Sequence, residues 1–178
     1  MAAADAGKAA HTAPHALLLP YPAQGHVIPF MELADRLIDR GFAVTFVNTE
    51  FNHRRVVAAA AAAAGAPGSA FAGGRLRLVA VADGMDDGED HDDFVRLNAC
   101  MQEAIPPQLD ALLDASDGGL GKVTCVVVDV LMAWALDAAN RRGLSSAALW
   151  AASAAVLAVL IGAKDLIRDG VIDDDGES

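Results

Sequence analysis

Positive charge is scarce in this chain. Thirteen Lys and Arg face 24 Asp and Glu, a formal net charge of −11. A nucleic-acid partner gripped through its phosphates is excluded, because such sites need clustered cations. Cysteine is scarcer still. Cys100 and Cys125 make no CxxC pair and no disulfide framework, which fits a reducing compartment. Cys125 lies within an apolar run, the usual place of a buried free thiol. No leader is visible: the first 14 residues, "MAAADAGKAAHTAP", lack an apolar core and carry Asp5, and read as a loose cytosolic tail. The longest apolar run, Ala147 to Ala163, is broken only by Ser153. Its 17 alanine-rich residues sit at the short edge for a membrane span and read instead as a short strand and a buried helix. The acidic segments "DGMDDGEDHDD" (83–93) and "DDDGES" do not follow calcium-loop spacing and read as solvated surface. No repeat of fixed period appears.

Among what is present, 54% apolar residues in a chain of 178 suffice for one globular core. "HALLLP" (15–20), "FAVTFVN" (42–48), "LRLVAV" (76–81), "VTCVVVD" (123–129) and "AALW" (147–150) read as strands. Helical spacing or propensity marks 26–40, stopped by Gly41, then 55–65, 92–114 with an interruption at Pro106–Pro107, 130–143 ending at Gly143, and 152–169. A Gly/Pro-rich loop is expected at 65–74. Strands alternating with helices predict an α/β fold, a doubly wound, Rossmann-like parallel sheet of order 3-2-1-4-5.

In that order strands 1 and 4 are neighbours at the switch point, where ligands bind beyond the carboxyl ends of the strands. His26 follows strand 1, and Asp129 closes strand 4. A neutral histidine can take a proton from a hydroxyl, and a carboxylate on its far nitrogen fixes the tautomer. The plain alternative is a helix-capping histidine and an N-cap aspartate. Two other chemistries lack their motifs. "PYPAQGHV" has one glycine where dinucleotide binding wants G-x-G-x-x-G, and no G-x-S-x-G elbow exists.

The stretch "HALLLPYPAQGHVIPFMELADRLIDRGFAVTFVNTEFNHRRV" resembles the opening of plant-type UDP-dependent glycosyltransferases, inverting enzymes of the GT-B fold. "RLRLVAVADGMDDGED", "VTCVVVDVLMAWALDAANRRGL" and "AALWAASAAVLAVL" agree in order and spacing, from residue 15 almost to the end. The resemblance implies that His26 is the general base for an acceptor hydroxyl and Asp129 its supporting carboxylate. It implies one inverting displacement on a UDP-sugar co-substrate, with no metal and no other cofactor. Pro22, Gln24, Gly25, Ile28 and Trp150 match positions lining the acceptor cleft or its meeting with the donor sugar. Two positions depart from the pattern. Ala82 stands where relatives often have proline, and Ala151 where many have Thr or Ser.

The resemblance also implies a domain organisation. Residues 1–14 would be a tail and 15–178 an incomplete acceptor-binding domain, with the C-terminal donor domain and its Trp- and His-containing signature absent. The expected partners are a small hydroxylated acceptor, a phenolic or other plant secondary metabolite, and a UDP-sugar held mainly by the absent domain. The expected setting is the cytoplasm, and the chain alone is expected to be inactive. The residues leave open a non-catalytic ligand-binding protein on the same scaffold. Only the enzyme reading needs a donor domain.

Overall fold

The computed structural model describes residues 13–63, 74–86, 88–115 and 119–173. Most of the expected N-terminal tail, nearly all of the loop at 65–74 and the end of the acidic C-terminus lie outside the described residues. His15–Leu19 (β1), Ala43–Thr49 (β2), Leu76–Val81 (β3), Cys125–Asp129 (β4) and Ser145–Leu149 (β5) form one parallel sheet of order β3-β2-β1-β4-β5. The helices are Gln24–Asp39 (α1), Glu50–Ala63 (α2), Phe94–Asp114 (α3), Leu136–Asn140 (α4) and Ala154–Arg168 (α5). The α/β, doubly wound arrangement is the one the alternation predicts.

β1 is central because its five residues, "HALLL", are apolar or self-satisfied on both faces, and all are buried. Leu17 lies opposite Thr45 on one side and Val126 on the other. The period-2 alternation of a strand then splits the interior in two. Ala16, Leu18, Val44 and Phe46 face Phe30 and Ala34 of α1. Leu17, Leu19, Val47, Val126 and Val128 face the other way, onto Leu97, Met101, Ile105 and Leu109. Those four recur every fourth residue along α3, the spacing of a single helical stripe. Burying one such side chain fully is worth roughly 1.5–3 kcal/mol over leaving it in water. His15 enters the sheet at no polar cost, since Nδ1 meets the Gly121 carbonyl at 2.7 Å and Nε2 the Thr45 hydroxyl at 2.9 Å.

Two expected elements change shape. α3 runs unbroken through Pro106 and Pro107. The carbonyls that lose donors belong to Gln102 and Glu103, which are exposed, so solvent can serve them. The expected helix 130–143 is instead a 3₁₀ turn, Val130–Ala135, followed by short α4. The cause is local. Asp129 accepts from the Leu131 amide two residues on, which tightens the first turn, and Met132 leaves helical geometry (φ −114°, ψ 26°). Arg142, just past α4, ties it to α3 through Asp110 (2.6 Å) and Asp114 (2.7 Å). Hydrogen bonds from that guanidinium hold both carboxyls below the usual carboxylate range.

The β5 side is different. Ser145–Ala148 are exposed, and α5 buries no residue. Val159, Leu160 and Ile161 of α5 are each more than half exposed, against the expectation of a buried helix. Among the described residues, no helix is long and apolar enough to cross a membrane. Cys125 is a free, half-buried thiol, and burial pushes its pKa up.

Candidate active site

The chain leaves β1 at Leu19, turns over Pro20–Ala23, and enters α1 at Gln24. The turn is closed by the Ala23 amide on the Tyr21 carbonyl (2.8 Å), and the His26 amide then bonds to the Ala23 carbonyl (2.9 Å). His26 is therefore the third residue of the helix, at the carboxyl edge of the sheet. Asp129 is the last residue of β4, the strand paired with β1. Its Oδ1 accepts from the Leu131 amide at 2.9 Å, and its Oδ2 lies 2.7 Å from His26 Nδ1.

The protonation pattern follows from the partners. A carboxylate only accepts, so His26 Nδ1 carries the proton and donates it. Nε2 is then the basic nitrogen, and it makes no hydrogen bond among the described residues. The His26 side chain is 26% exposed and that of Asp129 only 2%, an accessible imidazole on a buried carboxylate. The two roles weighed for Asp129 coexist. One oxygen caps the 3₁₀ turn while the other orients the imidazole.

Tyr21 and Asn52, which the sequence reading did not single out, complete the surroundings. The Tyr21 ring meets His26 edge-on at 5.5 Å and Phe94 at 5.6 Å. Burial, and then the Asp129 charge, raise the Tyr21 phenol above its ordinary pKa. Asn52 Nδ2 donates to the Pro22 carbonyl at 2.6 Å. Of the expected cleft residues, Pro22 is half-buried in the β1–α1 loop, while Gln24, Gly25 and Ile28 are exposed on the first turns of α1. Trp150 lies just beyond β5 and turns its indole N–H onto the Ser153 carbonyl (2.8 Å).

A second His–Asp pair was not foreseen. Asp83, expected to be solvated, is buried. Its Oδ2 lies 3.5 Å from His91 Nε2, and its Oδ1 accepts from the Met85 amide at 3.0 Å. His91 Nδ1 is 3.2 Å from the Glu89 carbonyl, and its ring stacks on Phe51 at 4.0 Å. The pair borders a cavity of about 370 Å³ shared with Glu50, Arg54 and Asp86. Asp86, Asp90, Asp92 and Asp93 are exposed, as expected, while Glu89 is half-buried and pairs with Arg96 at 3.1 Å. Ala82 uses the amide that a proline would lack, donating to Gln108 Oε1 while Gln108 Nε2 returns to the Ala82 carbonyl, both at 2.9 Å. Among the described residues, no three metal-ligating side chains cluster.

The fold is that of an α/β domain of the GT-B glycosyltransferase type. Solved plant enzymes share it. The chain superposes on TcCGT1 in complex with UDP at a TM-score of 0.68 with 25% identity, covering 88% of this chain and 32% of that one. For Os79 from O. sativa, with U2F and trichothecene, the values are 0.65 and 23%, covering 91% and 39%. No family model matches the chain. Curated relatives do. UDP-glycosyltransferase 83A1 of Arabidopsis thaliana is 32% identical over 167 residues, 92% of this chain and 35% of the relative. Linamarin synthase 1 of Manihot esculenta is 35% identical, covering 89% and 33%. UDP-glycosyltransferase 75C1 of Solanum lycopersicum is 39% identical over 149 residues, covering 81% and 29%. The chain belongs with the plant UDP-glycosyltransferases and spans about a third of the length of the relatives it matches.

Proposed function

We propose that this chain is the acceptor-side domain of an inverting UDP-glycosyltransferase, and that His26 is its general base. The observation that carries the reading is the 2.7 Å bond from His26 Nδ1 to buried Asp129, which leaves Nε2 free. In the reaction, Nε2 takes the proton from an acceptor hydroxyl. The oxygen forms a bond to the anomeric carbon as the bond from that carbon to the UDP oxygen breaks, and UDP departs from the opposite face. Asp129 stabilises the imidazolium formed. No metal or further cofactor enters the scheme.

The acceptor class is a small hydroxylated molecule, phenolic or otherwise a secondary metabolite, lying along Pro22, Gln24, Gly25, Ile28 and Trp150. The UDP-sugar is held mainly by a domain outside residues 15–178, and the setting is the cytoplasm. Holding both reactants in line can supply roughly 7–11 kcal/mol of a barrier. Residues 1–178 alone, without most of the donor contacts, should therefore give no steady sugar transfer and at most weak UDP-sugar binding. Calorimetry with UDP-glucose and a turnover assay on the purified chain test this; micromolar donor binding or steady product would overturn the division of roles. The base is tested by joining the chain to the remainder of a relative and assaying His26→Ala. Turnover within a few-fold of the unmutated chimaera would remove His26 from its role.

A further inference from the structure

The start of α1 is not held by its own cap. Ala23 occupies the N-cap position and offers no side-chain hydrogen bond, where Ser, Thr, Asp or Asn would be usual. The brace comes from α2 instead. Asn52 is buried, and its Nδ2 reaches 30 residues back to the Pro22 carbonyl, four residues before His26. Proline has no N–H, so that carbonyl is the only backbone polar group Pro22 offers. On the other side the Tyr21 ring bears on the imidazole. The polar neighbours of Asn52 make a contrast. Both amide atoms of Asn48, the Thr49 hydroxyl and His53 Nδ1 are buried without a partner. At this crowded β2–α2 junction, the amide N–H of Asn52 is committed, and it is committed to the loop that carries His26.

We infer that Asn52 is a positioning residue for His26. Through the Pro22 carbonyl it fixes the β1–α1 loop, and so the distance and angle at which the imidazole meets Asp129. A displacement of about 1 Å in a reacting group can cost on the order of 10²-fold in rate, so a single buried hydrogen bond here has leverage on the chemistry. The inference rests on the reading of His26 as the base for its purpose, but its test needs no turnover.

The test uses the imidazole N–H protons of the chain itself, observed by nuclear magnetic resonance. His26 Nδ1–H and His15 Nδ1–H are both hydrogen-bonded at 2.7 Å, and His15 serves as the internal reference. In Asn52→Leu, solvent exchange of the His26 proton should quicken tenfold or more, while that of His15 stays within twofold. Asn52→Asp, isosteric but without the donor, should lose the His26 signal likewise, and Asn52→Gln, which keeps a donor, should retain it. An unchanged His26 proton overturns the proposal. So does equal quickening at both histidines, which would mean general loosening of the sheet. If Asn52→Leu fails to fold, equal His26 signals in the Asp and Gln variants decide against it. If all three variants fail to fold, Asn52 holds the domain and not the dyad. Failure of the base reading would show separately, in the turnover of His26→Ala.

Discussion

The molecule builds one local device twice and uses it differently. Asp129 ends β4, and Asp83 lies two residues past the end of β3. Each accepts on Oδ1 from the amide two residues on and turns Oδ2 toward a histidine. The histidines then part ways. His26 spends one nitrogen at 2.7 Å and keeps the other free. His91 faces an acceptor with each nitrogen, at 3.5 and 3.2 Å, and lays its ring on Phe51. A His–Asp pair is thus no mark of a base. The base reading of His26 rests instead on a short bond to a buried carboxylate that leaves the far nitrogen open, whereas Asp83 and His91 stand 3.5 Å apart. His91 reads as a clasp that fastens the 83–93 loop across the start of α2.

The sharpest break of that comparison is kinetic. In a two-domain chimaera, His26→Ala should lower turnover by on the order of 10²–10⁴, the range of a positioned base. His91→Ala should leave it within a few-fold. Steady-state rates on a phenolic acceptor decide, and equal losses would erase the distinction. Asp129→Asn comes next. Asn caps about as well as Asp, so the fold should hold, but the lost charge and altered tautomer should slow turnover roughly tenfold or more. Near-normal activity would reduce Asp129 to a cap.

The second pair is probed through stability. Gly84 adopts φ 82°, and a Cβ there would lie 2.9 Å from Ala104 Cβ and 3.0 Å from the Cys100 carbonyl. Gly84→Ala should cost roughly 1–3 kcal/mol from overpacking and about 1–2 kcal/mol from the left-handed backbone, read by denaturant unfolding. His91→Ala should cost less, about 0.5–1.5 kcal/mol for the lost ring stack. The smallest effect is expected at Arg142. Asp110 and Asp114 are held below their ordinary pKa by its hydrogen bonds. Their contribution is therefore complete above the ordinary carboxylate range and is lost as pH falls through their depressed values. Asp110→Asn should shift the unfolding midpoint slightly at neutral pH and not in strong acid. A shift that persists in acid would show that the charge plays no part.

Strand order and the meeting of His26 with Asp129 were legible because both follow from topology. In a doubly wound sheet of order 3-2-1-4-5, β1 and β4 adjoin at the switch point, and the residues that end them are brought together. The second dyad was not legible. It depends on how an irregular loop folds back over Phe51, and no periodicity records that. Asn52 was hidden for a related reason, since its partner is a backbone carbonyl and leaves no side-chain signature. The 3₁₀ turn after β4 escaped because helix propensity sees "VLMAWALDAAN" and not the single carboxylate that tightens its start. The continuity of α3 through two prolines depended on which carbonyls face water, a tertiary fact.

The central place of β1 has a consequence for how the chain is made. Its apolar residues emerge early, yet one of its two edges has no partner until β4 arrives, and 103 residues separate His26 from Asp129. At synthesis rates of about 5–20 residues per second, that edge waits roughly 5–20 s. Once β2 has followed, "HALLL" can pair on that side alone until β4 is made. The dyad thus closes late, and a formed His26–Asp129 bond certifies that the sheet has assembled as far as β4.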